Sequence, residues 1–167
     1  MITTVEVKIV TKYIKMFKWM SIILAGCSFV LSVGILPYFI ESFVYHVPKY
    51  EYLLYPALLF VWVTSIGFYY MVLQIIMICR NAQSGKAFTM STVKLFNTIA
   101  LVAIVELAAY VAGFIAGTLL IMKFNPLLFF AMFVVVFFCL MVFGFCKVMK
   151  HLLRRVVEIK EENEYTI

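Results

Sequence analysis

Residues 95–122, LFNTIALVAIVELAAYVAGFIAGTLLIM, carry a single charged side chain, Glu106. The run exceeds the roughly 20 apolar residues that a helix needs to cross the hydrocarbon of a bilayer. Three more runs repeat the pattern at 19–40, 52–79 and 127–146. Composition agrees with them: 66% of residues are hydrophobic, 13% are charged, mean hydropathy is +1.09, and Asp is absent. Soluble domains lie far from these values. The reading is an all-α polytopic membrane protein, a four-transmembrane-helix bundle in one domain (1–167), with a basic leader at 1–18 and a tail at 147–167. The first span is expected to stay in place, because its end, LPYFI, lacks a small-residue cleavage pattern and three more spans follow.

Basic residues set the orientation. Lys8, Lys12, Lys15 and Lys18 precede the first span, Arg80, Lys86 and Lys94 join the second to the third, and Lys147, Lys150, Arg154, Arg155 and Lys160 follow the fourth. Only Lys49 and Lys123 occupy the other two connections. The positive-inside rule then places both termini and the 80–94 connection in the cytoplasm. A net charge of +6 thus argues for topology and for anionic lipid near these segments. It does not argue for direct nucleic-acid binding, for which no recognised fold stands outside the membrane.

Cys27, Cys79, Cys139 and Cys146 all fall within spans and read as buried free thiols. His46 and His151 lie on opposite sides of the membrane and cannot share a metal, so no metal or cofactor is expected. In the leader, Lys8, Lys12 and Lys15 share one helical face and Val10, Ile14 and Phe17 another, which fits an amphipathic helix at the headgroups or, equally, a solvated leader. The outer connection is bracketed by Pro37, Pro48 and Pro56. The third connection is little more than KFNP, with Pro126 in the first turn of the last helix, so the third and fourth spans are antiparallel neighbours. Beyond Cys146 the helical pattern continues through KVMKHLLRRVVEIK, and Arg154 pairs with Glu158 at i,i+4. The fourth helix therefore extends into the cytoplasm.

Glu106 is the sharpest candidate. A charged side chain at mid-span costs about 2.5–3.5 kcal/mol even on insertion scales, so it must face the bundle and be paired or protonated. Matching depths on the other helices fall near Ser28 to Ser32, Ser65 to Tyr70 and Val135 to Cys139. No Lys or Arg lies at that depth, so hydroxyls would have to satisfy it. Two readings follow: a protonated hydrogen-bonding peg between helices, which is favoured, or a proton or cation site. Ala109, Gly113 and Gly117 form a small-residue stripe that suits close approach of a neighbouring helix or of a second copy in a homodimer. Phe129, Phe130, Phe133, Phe137 and Phe138 read as lipid-facing or packing material.

In the 80–94 connection, Gly85-Lys86 echoes a phosphate-binding loop. The match fails: there is no Gly five residues earlier, Ala87 replaces the metal-binding hydroxyl, and a helix precedes it where a strand is required. Helix-terminus chemistry serves better. The second span runs to about Ala82 and stops at Gly85, a left-handed cap; Thr89 is the N-cap of the next helix, and Phe88 staples onto Val93.

With SGKAFTMSTVKLFN and the ending EIKEENEYTI in view, the chain resembles a bacterial family of four-span membrane proteins, domain of unknown function two-nine-seven-five. The resemblance rests on Leu36-Pro37, on Pro56, on Ala87, Phe88 and Thr89, and on Glu162, Asn163, Thr166 and Ile167. Glu164-Tyr165 is a mild departure. The resemblance implies a bacterial plasma membrane, no established activity, and by association a helix-turn-helix regulator as partner.

No cluster of His, Cys, Ser and acidic residues at one depth supports an enzyme. The leading expectation is a non-enzymatic interaction protein whose cytoplasmic docking surface comprises Gly85, Lys86, Phe88, Thr89, Glu162, Asn163 and Thr166. The alternative is a small transporter or immunity-type protein that uses Glu106 as its intramembrane ionisable group.

Overall fold

The computed structural model describes residues 4–46, 52, 54–121 and 126–165. Helix α1 spans Thr4–Val30 and passes through a π turn, Leu31–Ile35, into α2, Leu36–His46. Helices α3 (Leu54–Gln83), α4 (Met90–Ile121) and α5 (Pro126–Tyr165) complete the chain. Among the described residues four helical segments are long and apolar enough to cross a membrane, and the protein is a multi-pass membrane protein.

Helix runs on through Pro37, which the sequence reading assigned to the bracket of a connection. A proline inside an α-helix lacks the N–H for the preceding turn and its ring collides with the carbonyl four residues back, here that of Val33. The π turn widens the backbone at that point, with the Leu36 N–H bonded to the Leu31 carbonyl. This leaves the Ser32 carbonyl stranded, since Leu36 is already engaged and its π-register partner Pro37 has no N–H. The Trp62 indole N–H of α3 donates to that carbonyl at 3.2 Å. Pro48 lies outside the described residues, while Pro56 sits in the first turn of α3 and Pro126 opens α5.

Helix α1 packs on α3, α3 on α4, and α4 on α5, the last pair most extensively. Among the described residues no comparable interface joins α1 to α5, so the bundle is open along that seam. Val93, Phe96, Ile99 and Ala100 of α4 pack with Cys146 and Leu153 of α5, and Ile75 and Ile78 of α3 close over them. The tightest packing therefore lies toward the end that carries the α3–α4 turn. Elsewhere the apolar side chains point outward: all five phenylalanines of α5 noted above are at least half exposed. Water would not tolerate so large an apolar surface, but lipid does.

At about 1.5 Å per residue the 40 residues of α5 reach about 60 Å, twice the roughly 30 Å hydrocarbon thickness. Its second half, from Lys147 onward, is the expected extension. There Lys150 Nζ donates to Asn97 Oδ1 of α4 at 2.8 Å, and Arg154 pairs with Glu158 at 2.8 Å on an exposed face. The cysteines are free but not uniformly buried: Cys79 and Cys146 are, Cys139 is half-buried, and Cys27 is exposed on the outer face of α1.

Candidate functional site in the bundle interior

Glu106 is 8% exposed and faces inward from α4. It fits because α3 presents a glycine opposite. A Cβ built on Gly67 would fall 2.8 Å from Glu106 Cδ and closer still to Oε1. The other oxygen, Oε2, is buried with no hydrogen-bond partner. Glu106 is one of the residues that line a cavity of about 360 Å³ formed between α1, α3, α4 and α5. That volume lies in the lower part of the range of small-molecule pockets, about 300–1,000 Å³.

The wall is almost wholly apolar. Among the described residues Tyr110 lines it with its phenol, and the two aliphatic hydroxyls are turned back onto their own helices: Ser21 Oγ donates to the Phe17 carbonyl at 3.0 Å, and Thr64 Oγ1 to those of Phe60 and Val61 at 3.0 and 3.1 Å. Their protons are spent, so the hydroxyl oxygens offer lone pairs alone to the cavity. No Lys or Arg lines it. An unpaired carboxyl oxygen in apolar surroundings costs at least 1–3 kcal/mol.

The hydroxyl partners expected for Glu106 are thus not what Oε2 meets. The depth estimate placed it correctly beside Gly67 and near Cys139, and on α1 Phe29 and Ser32 meet Tyr69 and Trp62 around that level, while the residues of α1 that line the cavity are Ser21 and Leu24. The cavity is elongated, running from Thr64 and Tyr110 to Ile75 and Ile99, eleven residues along each helix or about 16 Å. It meets α1 well below the π turn, where Ser32 is committed to Trp62.

Of the small-residue stripe, Gly113 receives the ring of Phe60, whose Cζ would lie 2.5 Å from an added Cβ, and Phe60 in turn stands edge-on to Tyr110 at 5.7 Å. Gly117 has nothing within 4 Å of that position, and Ala109 is half-buried. Gly67, Ser21 and Thr64 were not singled out from sequence. For Gly67 the signal was there, since the residue lies within the stretch at the depth of Glu106.

At the α3–α4 turn, Gly85 has φ +74°. Its N–H bonds the Ala82 carbonyl at 3.3 Å and the Lys86 N–H bonds the Asn81 carbonyl at 2.9 Å, the paired closure of a Schellman motif. Thr89 takes the N-cap position, its carbonyl accepting from Val93 N–H at 3.2 Å. Its hydroxyl, however, donates to the Lys86 carbonyl at 3.0 Å instead of accepting from the first helical N–H groups. The reason is that the glycine turn brings the Lys86 carbonyl over the start of α4, where the Thr92 hydroxyl also donates to it at 3.2 Å. Asn81 Nδ2 donates to Thr92 Oγ1 at 3.2 Å, locking the two helices together. Phe88, expected to staple onto buried Val93, is 54% exposed. The remaining docking candidates, Glu162 and Asn163, lie near the end of α5, and Thr166 is outside the described residues.

Residues 40–167 match the family described as Protein of unknown function (DUF2975). The chain belongs to this family. No curated protein and no solved structure matches it. Of the cavity residues, Thr64, Glu106 and Tyr110 fall inside the DUF2975 match, whereas Ser21 and Leu24 of α1 precede it.

Proposed function

We propose that this DUF2975 protein is a non-enzymatic protein of a bacterial plasma membrane, with both termini cytoplasmic, that binds a small molecule inside its bundle at Glu106. This is the transporter or immunity class of function. One observation carries it: Glu106 lines a cavity large enough for a ligand, and its Oε2 is buried without a hydrogen-bond partner. A carboxyl group that served only to peg helices together would have its lone pairs met by neighbouring donors. An ionisable residue held within a membrane helix is by default a functional group.

The test is covalent labelling of native membranes with dicyclohexylcarbodiimide, a membrane-soluble reagent for protonated carboxyl groups, followed by peptide mass spectrometry. Glu106 is expected to be modified in the wild type, and no adduct should map to residues 90–121 in Glu106→Gln. An unmodified Glu106 under conditions that label other membrane carboxyls would refute the reading.

A second reading is favoured by the far end of the molecule. The hydrogen-bonded α3–α4 turn presents exposed Lys86 and Phe88, and the α5 extension exposes Leu152 and Val156 beside a basic face. These suit anionic lipid and a cytoplasmic protein partner, for which the family resemblance suggests a helix-turn-helix regulator. Cross-linking from Lys86, with and without residues 161–167, should capture that partner in a tail-dependent way.

A further inference from the structure

We propose that the Glu106 cavity receives a cationic amphiphile, a primary ammonium on a single apolar tail, which enters sideways from the bilayer between α1 and α5. The inference rests on the reading of Glu106 as a ligand site and names the ligand's chemistry and route.

The chemistry follows from what the wall lacks. Glu106 Oε2 is unpartnered, and the hydroxyl protons of Ser21 and Thr64 are engaged with their own helices, so these two hydroxyls are left as acceptors; the Tyr110 phenol and the Cys139 thiol are the remaining polar groups of the wall. A carboxyl group in such a wall attracts a group that donates several hydrogen bonds and carries positive charge, to which it can give up its proton, and once ionised it repels a carboxylate or phosphate. The ammonium N–H groups would pair with the carboxylate while Ser21 or Thr64 oxygen accepts another. The rest of the cavity, lined by residues such as Phe68, Val72 and Ile99, suits an unbranched hydrocarbon or a ring.

The route follows from the packing. Among the described residues, helices α1 and α5 lack an interface comparable to those of α1 with α3, α3 with α4 and α4 with α5. The cavity residues on those two helices, Leu24 and Phe138, are 59% and 64% exposed, so the wall on that side faces lipid. A molecule already dissolved in the bilayer reaches the carboxyl group without crossing an aqueous pore, and its tail need not leave an apolar medium.

The experiment repeats carbodiimide labelling of Glu106 in membranes preincubated with dodecylamine, dodecanol or dodecanoate. Dodecylamine is expected to protect Glu106 in a saturable manner, and the alcohol and the acid are not. Equal protection by all three, or none by the amine, overturns the ligand class while leaving Glu106 as a reactive intramembrane site. Absence of labelling without any additive overturns the parent reading as well.

Direct binding of tritiated dodecylamine to the full chain in lipid nanodiscs supplies a second readout. Glu106→Gln should weaken it at least about tenfold, the loss expected for one charged hydrogen bond. Leu24→Trp keeps the carboxyl group and narrows the seam, so it should slow association of the amine. Unchanged binding in Glu106→Gln, or unchanged association in Leu24→Trp, counts against the site and the route respectively.

Discussion

The carboxyl group of Glu106 occupies the space that a side chain on Gly67 would fill. Two residues on different helices are thereby coupled by volume, and the coupling decides where the acid points. Gly67→Ala must push the carboxyl group aside or part α3 from α4, at a cost of about 1–3 kcal/mol. Thermal unfolding of the purified protein should show the loss, and Gly67→Ala in a Glu106→Ala background should show much less of it.

The bond from Trp62 to the Ser32 carbonyl exists because Pro37 cannot supply an N–H. Trp62→Phe should destabilise the protein by about 0.5–1.5 kcal/mol. In a Pro37→Ala background the backbone regains a donor near that carbonyl, and the same substitution should cost less. Equal costs in both backgrounds would mean that the indole acts by packing alone.

Gly85 holds a left-handed backbone that a Cβ would strain, so Gly85→Ala is expected to cost about 1–3 kcal/mol. Thr92 is 2% exposed and is the acceptor for Asn81. Thr92→Val leaves the Asn81 amide without that acceptor and should cost about 1–3 kcal/mol, whereas Thr92→Ser should be close to neutral. Melting temperatures of the three variants in one detergent check the order.

Two contacts made by cationic side chains of α5 should behave differently. Lys150 reaches Asn97 across the α4–α5 interface in a partly buried setting, and Asn97→Ala is expected to lower stability by about 1.5–3 kcal/mol. Arg154 and Glu158 pair on an exposed face of one helix, so Arg154→Ala should change stability by no more than about 0.5 kcal/mol, and high salt should erase even that. Comparison of the two variants at low and high salt separates the cases.

The four spans, the length of α5 and the Gly85 stop were legible because each depends on local chemistry. Long apolar runs must be helical in lipid, where every backbone group has to be satisfied within its own segment. A Gly followed by a polar start signal ends one helix and begins the next wherever it occurs. Family membership was legible for a related reason, since its markers are short runs such as Ala87, Phe88 and Thr89.

What lay beyond the sequence were facts about pairs of helices. The continuation of helix through Pro37 needs the π turn and is completed by an indole from another helix. The hydroxyl of Thr89 turns to Lys86 because the glycine turn carries that carbonyl over the next helix. The sequence by itself required Glu106 to face inward; only the packing of α3 on α4, and the lack of a comparable interface between α1 and α5 among the described residues, decided that it meets a glycine and an open cavity. The physical reason is that burial of a charge is set by composition along one helix, whereas the space around it is set by the shapes of the others.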